Sequence, residues 1–191
     1  MSKLLQKINK IPKSWFTFAD IRKITGLDDG SLAVTLSRMV KRGELVKVAK
    51  GIYATDISKI DWEQFAVEKY PPNYTSFESA LARHNILSQQ PASLTMATTN
   101  RSKKTKMLEN MIIYRHIQPK LFWGYSKEGN ILIADPEKAF LDLAYLSLNG
   151  YAKFDPEEIN LDLLNKQKIK TYLKKFNSPR LNKLIKNILV E

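Results

Sequence analysis

The chain of 191 residues contains no cysteine, which excludes a disulfide framework and any thiolate-held metal. Histidine is almost as scarce. His84 and His116 have no local ligand pattern and no carboxylate at a spacing that demands pairing, so both read as structural or surface residues. No apolar run approaches the roughly 18 residues needed to cross a bilayer, and no apolar signal segment opens the chain. A cytoplasmic protein without membrane association is expected. Acid is also under-represented, with 19 Asp and Glu against 31 Lys and Arg and a formal net charge of +12. Apolar residues make up 43% and aromatics 10%, enough to build real cores, and the length suits two small domains.

The positive excess is concentrated near the start. Residues 1–55 hold eleven Lys or Arg against four Asp or Glu. Basic clusters favour salt-sensitive association with polyanions, although a solvated lysine-rich surface has the same composition. The pattern of apolar residues is more specific. Leu4, Leu5, Ile8 and Ile11 predict a first helix stopped near Pro12. Thr17 with Asp20 three residues on resembles a capping box for a second helix carrying Ile21 and Ile24, and Gly26 breaks it. Asp28 or Asp29 then caps a third helix in which Leu32, Leu36 and Met39 form the inward stripe, widened by Ala33 and Val40, while Leu27 sits over the core between the two helices.

Directly after this third helix comes KRGELVKVAKGIY, Lys41 to Tyr53. Val46 and Val48 alternate with Lys47, Lys50-Gly51 supplies a turn, and Ile52-Tyr53-Ala54 returns as a second strand. Helix, basic turn and Gly-centred hairpin in that order describe a winged helix-turn-helix, and double-stranded DNA becomes the leading partner. Ser31, Thr35, Arg38 and Arg42 fall along one line of the third helix, away from the apolar stripe, where hydroxyls meet base edges or phosphates and arginines read guanine. Lys47 and Lys50 of the wing reach backbone phosphates. Winged helices also serve as protein-contact modules, so fold alone does not decide the partner.

The fold class expected is α+β: an N-terminal winged helix-turn-helix over residues 1–56, a connecting helix and linker over 57–72, and a mixed α/β C-terminal domain over 73–191 with lysine-rich terminal helices. Trp62, Phe65 and Ala66 mark the connecting helix, which Tyr70-Pro71-Pro72 ends. Thr75 with Glu78 reads as a cap for a helix running to His84. Ser93 to Thr98, Met111 to His116, Leu121 to Tyr125 and Asn130 to Ala134 read as strands. Asp135-Pro136, Asp155-Pro156 and Ser178-Pro179 each place a cap residue before a proline at the first helical position. Arg101, Lys103, Lys104 and Lys106 form a basic cluster in an apparent inter-strand connection, a further candidate for phosphate contact or an ordinary exposed loop. From Lys166 onward eight basic residues accompany one acidic residue. Leu173, Phe176, Leu181, Leu184, Ile185 and Ile188 would face inward there, with Lys174, Lys175, Arg180, Lys183 and Lys186 left at the surface or beside DNA.

An enzyme reading rests on Asp135, Glu137, Lys138 and Asp142, since carboxylates near a lysine hold magnesium and orient water for phosphodiester hydrolysis. Helix capping and a favourable first-turn acid account for Asp135 and Glu137 more simply, and the chain is expected not to be an enzyme. Ser76 and Ser79 lack a nucleophile turn, and Trp62 and Trp123 read as core rather than as platforms for bases. No cofactor or metal is expected.

Three segments resemble the AbiEi family of antitoxins and related transcriptional regulators: KGIYAT at Lys50 to Thr55, YTSFESALARHNIL at Tyr74 to Leu87, and IADPEKAFLDLAYL at Ile133 to Leu146. The resemblance spans roughly residues 3–150. It implies a type IV toxin-antitoxin system in which the antitoxin binds inverted repeats in its own promoter, often as two copies on one operator, and represses its own operon. It also implies a nucleotidyltransferase-like toxin as functional partner without a stable complex, with the C-terminal domain needed for antitoxicity. Many relatives extend the second domain well beyond the equivalent of Tyr151, whereas about forty lysine-rich residues follow it here. A transcriptional regulator without a toxin partner is the alternative.

Overall fold

A computed structural model of the protein describes residues 3–190. The chain divides into two compact units, one running to Asp61 and including Met107–Glu109, the other formed by Trp62–Lys106 and the described residues from Asn110 onward.

The first unit contains α1 (Lys3–Asn9), β1 (Phe16–Thr17), α2 (Phe18–Thr25), α3 (Asp29–Lys41), β2 (Val46–Ala49) and β3 (Ile52–Ala54). The three strands form an antiparallel sheet in the order β1-β3-β2. The hairpin is the expected wing, with Gly51 at φ +72° in its turn, a conformation that glycine adopts without strain. β1 is new relative to the sequence reading. Two residues offer no alternation to detect, and Phe16 is held by pairing with Tyr53.

Capping at α2 follows the sequence closely. Thr17 Oγ1 accepts from the Asp20 N–H at 3.1 Å, the Asp20 carboxylate accepts from the Thr17 N–H at 2.9 Å, and Gly26 ends the helix in the left-handed region. The choice between Asp28 and Asp29 resolves to Asp28, whose carboxylate accepts from the Ser31 N–H at 3.0 Å. Ile8, Phe16, Ile21, Leu32, Leu36, Met39 and Leu45 close into one apolar core. Two expectations fail here. Ala33 is exposed rather than part of the buried stripe. Leu27 is 37% exposed rather than seated over the core, because the left-handed turn at Gly26 carries it outward.

The second unit opens with α4 (Trp62–Lys69) and builds a six-stranded mixed sheet in the order β6-β7-β5-β4-β9-β8. The strands are β4 (Asn73–Thr75), β5 (Ser93–Thr98), β6 (Lys103–Met107), β7 (Asn110–His116), β8 (Tyr125–Glu128) and β9 (Ile131–Ala134). The helices are α5 (Phe77–Arg83), α6 (Pro136–Ser147), α7 (Lys166–Phe176) and α8 (Pro179–Val190). β5 and β7 pair in parallel from Ser93↔Met111 to Thr98↔His116, and β4 joins β9 in parallel and β5 antiparallel.

Several local expectations are corrected. Thr75 lies in β4 and Glu78 chelates Arg115 instead of closing a capping box, while α5 begins after Ser76, which makes no side-chain cap bond. Residues 121–125 are not a strand. Pro119–Leu121 is a 3-10 turn and the strand starts at Tyr125. Asp155-Pro156 opens only a 3-10 turn, Pro156–Glu158. Asp135 precedes α6 but does not cap it, because its carboxylate accepts from the Tyr172 hydroxyl at 2.6 Å and meets Lys168 Nζ at 3.2 Å. The terminal helices do bury Leu173, Phe176, Leu181 and Ile185 and leave Lys174, Lys175, Arg180, Lys183 and Lys186 exposed, as their periodicity indicates.

α6 is the buried centre of this unit, packed against α5 and α7. Its apolar residues Ala139, Phe140, Leu143, Ala144 and Leu146 are enclosed, and so are Lys138 and Asp142, one turn apart and without exposed side-chain area. Lys138 Nζ donates to Asp142 Oδ1 and, at 2.8 Å, to the Tyr74 hydroxyl, which donates in turn to Asp142 Oδ2 at 2.8 Å. Ser76 Oγ completes the carboxylate at 3.0 Å. The ammonium also sits 5.0 Å over the Trp123 ring and 5.3 Å over Phe176, within cation–π range. Burial pushes the lysine down and the aspartate up from their ordinary values, and each partner's charge opposes that drift. Gly124 is required beside them: it has φ +74°, and a Cβ there would lie 2.9 Å from Lys138 Cγ.

Removing one partner of this pair strands a buried charge, whereas removing both leaves an apolar gap. Lys138→Met is therefore expected to cost about 3–5 kcal/mol in urea unfolding, and Lys138→Met with Asp142→Leu to recover most of that loss. Equal instability of single and double variants would show that shape, not charge, dominates. The first unit gives a pH test. Burial raises the Asp20 carboxyl, but the Thr17 N–H and hydroxyl and the Lys13 ammonium outweigh it, and the net position is below the ordinary 3.8. A lowered carboxyl contributes stability above its unfolded value and loses it as pH falls through the folded one. Asp20→Asn is accordingly expected to be less stable than the parent at neutral pH, the two thermal midpoints converging as the pH drops below 3.8.

Candidate nucleic-acid interface

α3 presents its polar residues from a rigid base, since Leu32, Leu36 and Met39 are wholly buried beneath it. Ser31 and Arg38 are exposed; Thr35 is only half exposed, and its hydroxyl donates to the Ser31 carbonyl at 2.8 Å. At about 100° per residue, the face opposite Leu32 and Leu36 is centred on Val34 and Lys41 and includes Arg38, with Ser31 and Ser37 at its two edges. The line Ser31, Thr35, Arg38 and Arg42 runs along one side of that face. Val34 is 50% exposed, an apolar side chain of the kind that meets a thymine methyl. Val34 and Lys41 are legible from the sequence once angle is measured from the centre of the apolar stripe.

Arg42 is not a free cation. It lies just past the last turn of α3, and its Nε and Nη2 donate to the two carboxylate oxygens of Glu44 at 2.9 and 3.2 Å. The two residues are separated by Gly43 in the left-handed conformation, which folds the chain back far enough for the fork to close. Acid also occupies the other end of the helix. Asp28 is held below the ordinary carboxylate range by the Ser31 side chain and then by its N–H. Asp29 pairs with Arg22 at 3.0 Å in an exposed bridge of small energetic weight. The start of α3 thus already holds two carboxylates. Lys47 and Lys50 of the wing are exposed, on β2 and in the turn that follows it.

The second basic group is organised differently from the loop expected. Arg101 is exposed ahead of β6, and Lys103, Lys104 and Lys106 lie on that edge strand, so their side chains alternate between its faces. Lys103 Nζ sits 5.2 Å over the Tyr70 ring, and Lys103 and Lys104 both line one cavity of the second unit.

Of the residues considered for hydrolysis, Glu137, Lys138 and Asp142 are buried, and Asp135 is partly exposed beside Tyr172 and Lys168. Asp142 accepts from three donors. Glu137 accepts from the Asn165 N–H at 3.0 Å, and its other oxygen lies 3.1 Å from Lys168 Nζ as an ionic contact without a well-directed hydrogen bond. Burial disfavours the Lys168 charge, but Glu137 and Asp135 outweigh it and raise that lysine. Among the described residues no group of three His, Asp or Glu is placed to hold a metal ion. His84 Nε2 contacts the Ala134 carbonyl and His116 Nδ1 the Asn100 carbonyl, each at 2.9 Å. No helix of the described residues is long and apolar enough to cross a membrane.

Residues 12–55 match the family described as transcriptional regulator, AbiEi antitoxin, and this stretch is a domain of that family. Domains of this type are regulatory. The match covers α2, α3 and the wing. Among solved structures the chain is similar to the crystal structure of RV2827C protein from Mycobacterium tuberculosis, with a TM-score of 0.62 at 12% identity, covering 94% of this chain and 72% of that one. At that identity the likeness concerns fold alone. No curated protein sequence matches the chain.

The Arg42–Glu44 fork leads to a direct test. Glu44→Gln is expected to release the guanidinium and to raise affinity for any duplex, with a salt dependence steeper by about one unit of slope in log K against log salt. Fluorescence anisotropy across a salt series reads both quantities, and an unchanged slope would mean that Arg42 does not approach the phosphate backbone.

Proposed function

We propose that the protein is a sequence-specific DNA-binding antitoxin that represses its own toxin-antitoxin operon. In this reading it opposes a nucleotidyltransferase-like toxin without forming a stable complex with it. The observation that carries the DNA role is the pairing of an exposed, positively charged α3 face with a basic wing, inside a domain matching a family of transcriptional regulators. Val34, Ser37 and Arg38 are assigned to the base edges, with Ser31 on the flank. Lys41, Lys47 and Lys50 are assigned to phosphates. Arg101, in the second unit, is assigned separately to backbone phosphate. Two copies on an inverted repeat would place two such faces in successive major grooves. Residues 1–56 carry DNA binding and residues 73–191 antitoxicity, with 57–72 connecting them.

The test uses the full chain, a duplex from its own upstream region and a scrambled duplex of equal length. Arg38→Ala is expected to weaken the upstream duplex by about 1–3 kcal/mol and to leave the scrambled one nearly unchanged. Lys47→Ala and Lys50→Ala are expected to weaken both duplexes alike and each to reduce the salt slope by about one. Equal affinity of the parent for the two duplexes would remove the sequence-specific reading. Co-expression with a nucleotidyltransferase encoded beside it tests the second half: growth rescue by the parent and by Arg38→Ala alike would separate antitoxicity from DNA binding, and no rescue would leave a regulator without a toxin.

A further inference from the structure

The second unit contains a cavity that DNA binding does not use. It encloses about 640 Å³ beside the edge strand β6 and its neighbour β7, roofed by the end of α6. That size lies within the roughly 300–1,000 Å³ of small-molecule sites. Its chemistry is graded. Lys103 and Lys104 line it with no ion-pair partner among the described residues, Lys103 lying over the Tyr70 ring, and no carboxylate lines the cavity. Arg115 adds a planar guanidinium already neutralised by Glu78 at 2.6 and 2.9 Å, so the two lysines supply the uncompensated charge. Tyr145 and Tyr151 bring aromatic rings, and Gln118 and Asn149 bring amides able both to donate and to accept.

Tyr151 is the unusual member. It is 73% exposed, yet its backbone is fixed: its N–H donates to the Leu146 carbonyl and that of Gly150 to the Ser147 carbonyl, with Gly150 at φ +73°. This double closure ends α6 and holds a large ring at the cavity rim with little apolar area covered in return. An aromatic ring on a fixed backbone, lysine charge and neutral amides lining one cavity match a ligand with a flat base at one end and phosphate at the other.

We propose that this cavity binds a nucleoside triphosphate, with Lys104 on the phosphates, Tyr151 stacked on the base and Gln118 and Asn149 on its polar edge. The site lies entirely in the second unit and stands independently of the DNA reading. Isothermal titration of the full chain at physiological salt with ATP, GTP, CTP and UTP, guanosine, adenosine and inorganic triphosphate tests it. At least one triphosphate is expected to bind one site per chain in the micromolar range, and its nucleoside and inorganic triphosphate are each expected to bind at least about tenfold more weakly. Lys104→Ala and Tyr151→Ala should each weaken the nucleotide by about tenfold, whereas Tyr151→Phe, which keeps the ring, should not. Lys183→Ala with Lys186→Ala, on α8, should have no effect. The proposal is overturned if none of the four nucleotides saturates at millimolar concentration, if inorganic triphosphate binds as tightly as they do, or if the α8 variant rather than Lys104→Ala removes binding.

Discussion

Burying Lys138 against Asp142 takes two opposite charges out of water, and that cost is tolerable only while each neighbouring polar atom keeps its place. The neighbours come from separate parts of the second unit. β4 carries Tyr74 and is followed by Ser76, both on the Asp142 carboxylate; the segment before β8 supplies Trp123 and the space at Gly124; α7 supplies Phe176. A strand, a loop and two helices therefore meet at one ammonium group. The second ionic cluster, Lys168 with Asp135 and Glu137, ties the first turn of α7 to the start of α6 and fixes the same two helices again. Displacing any of these elements exposes or strands a charge, so the unit has few intermediate packings available to it.

The first unit is organised on the opposite principle. Its core is apolar and its charges are outside, arranged by caps and short-range pairs: Asp20 on Thr17, Asp28 on Ser31, Arg22 on Asp29, Arg42 on Glu44. These contacts decide which cations remain available to a polyanion. Arg38 and Lys41 on α3 and Lys47 and Lys50 on the wing remain outside those pairs, whereas Arg42 is held in a bidentate fork.

How much of this was legible depended on whether the governing interaction was local. The Thr17–Asp20 cap, the Leu32–Leu36–Met39 stripe, the hairpin at Gly51 and β5 follow from neighbours in sequence and were readable to within a residue. β1 and β4 are only two and three residues long and exist through pairing with distant strands, so periodicity had nothing to act on. Thr75 and Glu78 have the spacing of a cap, yet the ladder claims one and Arg115, 37 positions away, claims the other. The Lys138–Asp142 spacing of four residues was visible, but its burial was not, because an exposed helical salt bridge has the same signature. On α3, Val34 and Lys41 emerge beside Arg38 when angle is measured from the stripe.

The lysines of β6 have one more effect. A mixed sheet with two free margins offers unpaired amides and carbonyls to any other chain in solution. Here one margin is β6, where Lys103, Lys104 and Lys106 stand on the strand, and the other is β8, where Lys127 and Glu128 are exposed. A second sheet approaching either margin must desolvate those charges, and at β6 must bring like charges together. The edge strand that borders the cavity thus also carries charge against backbone pairing with a second sheet.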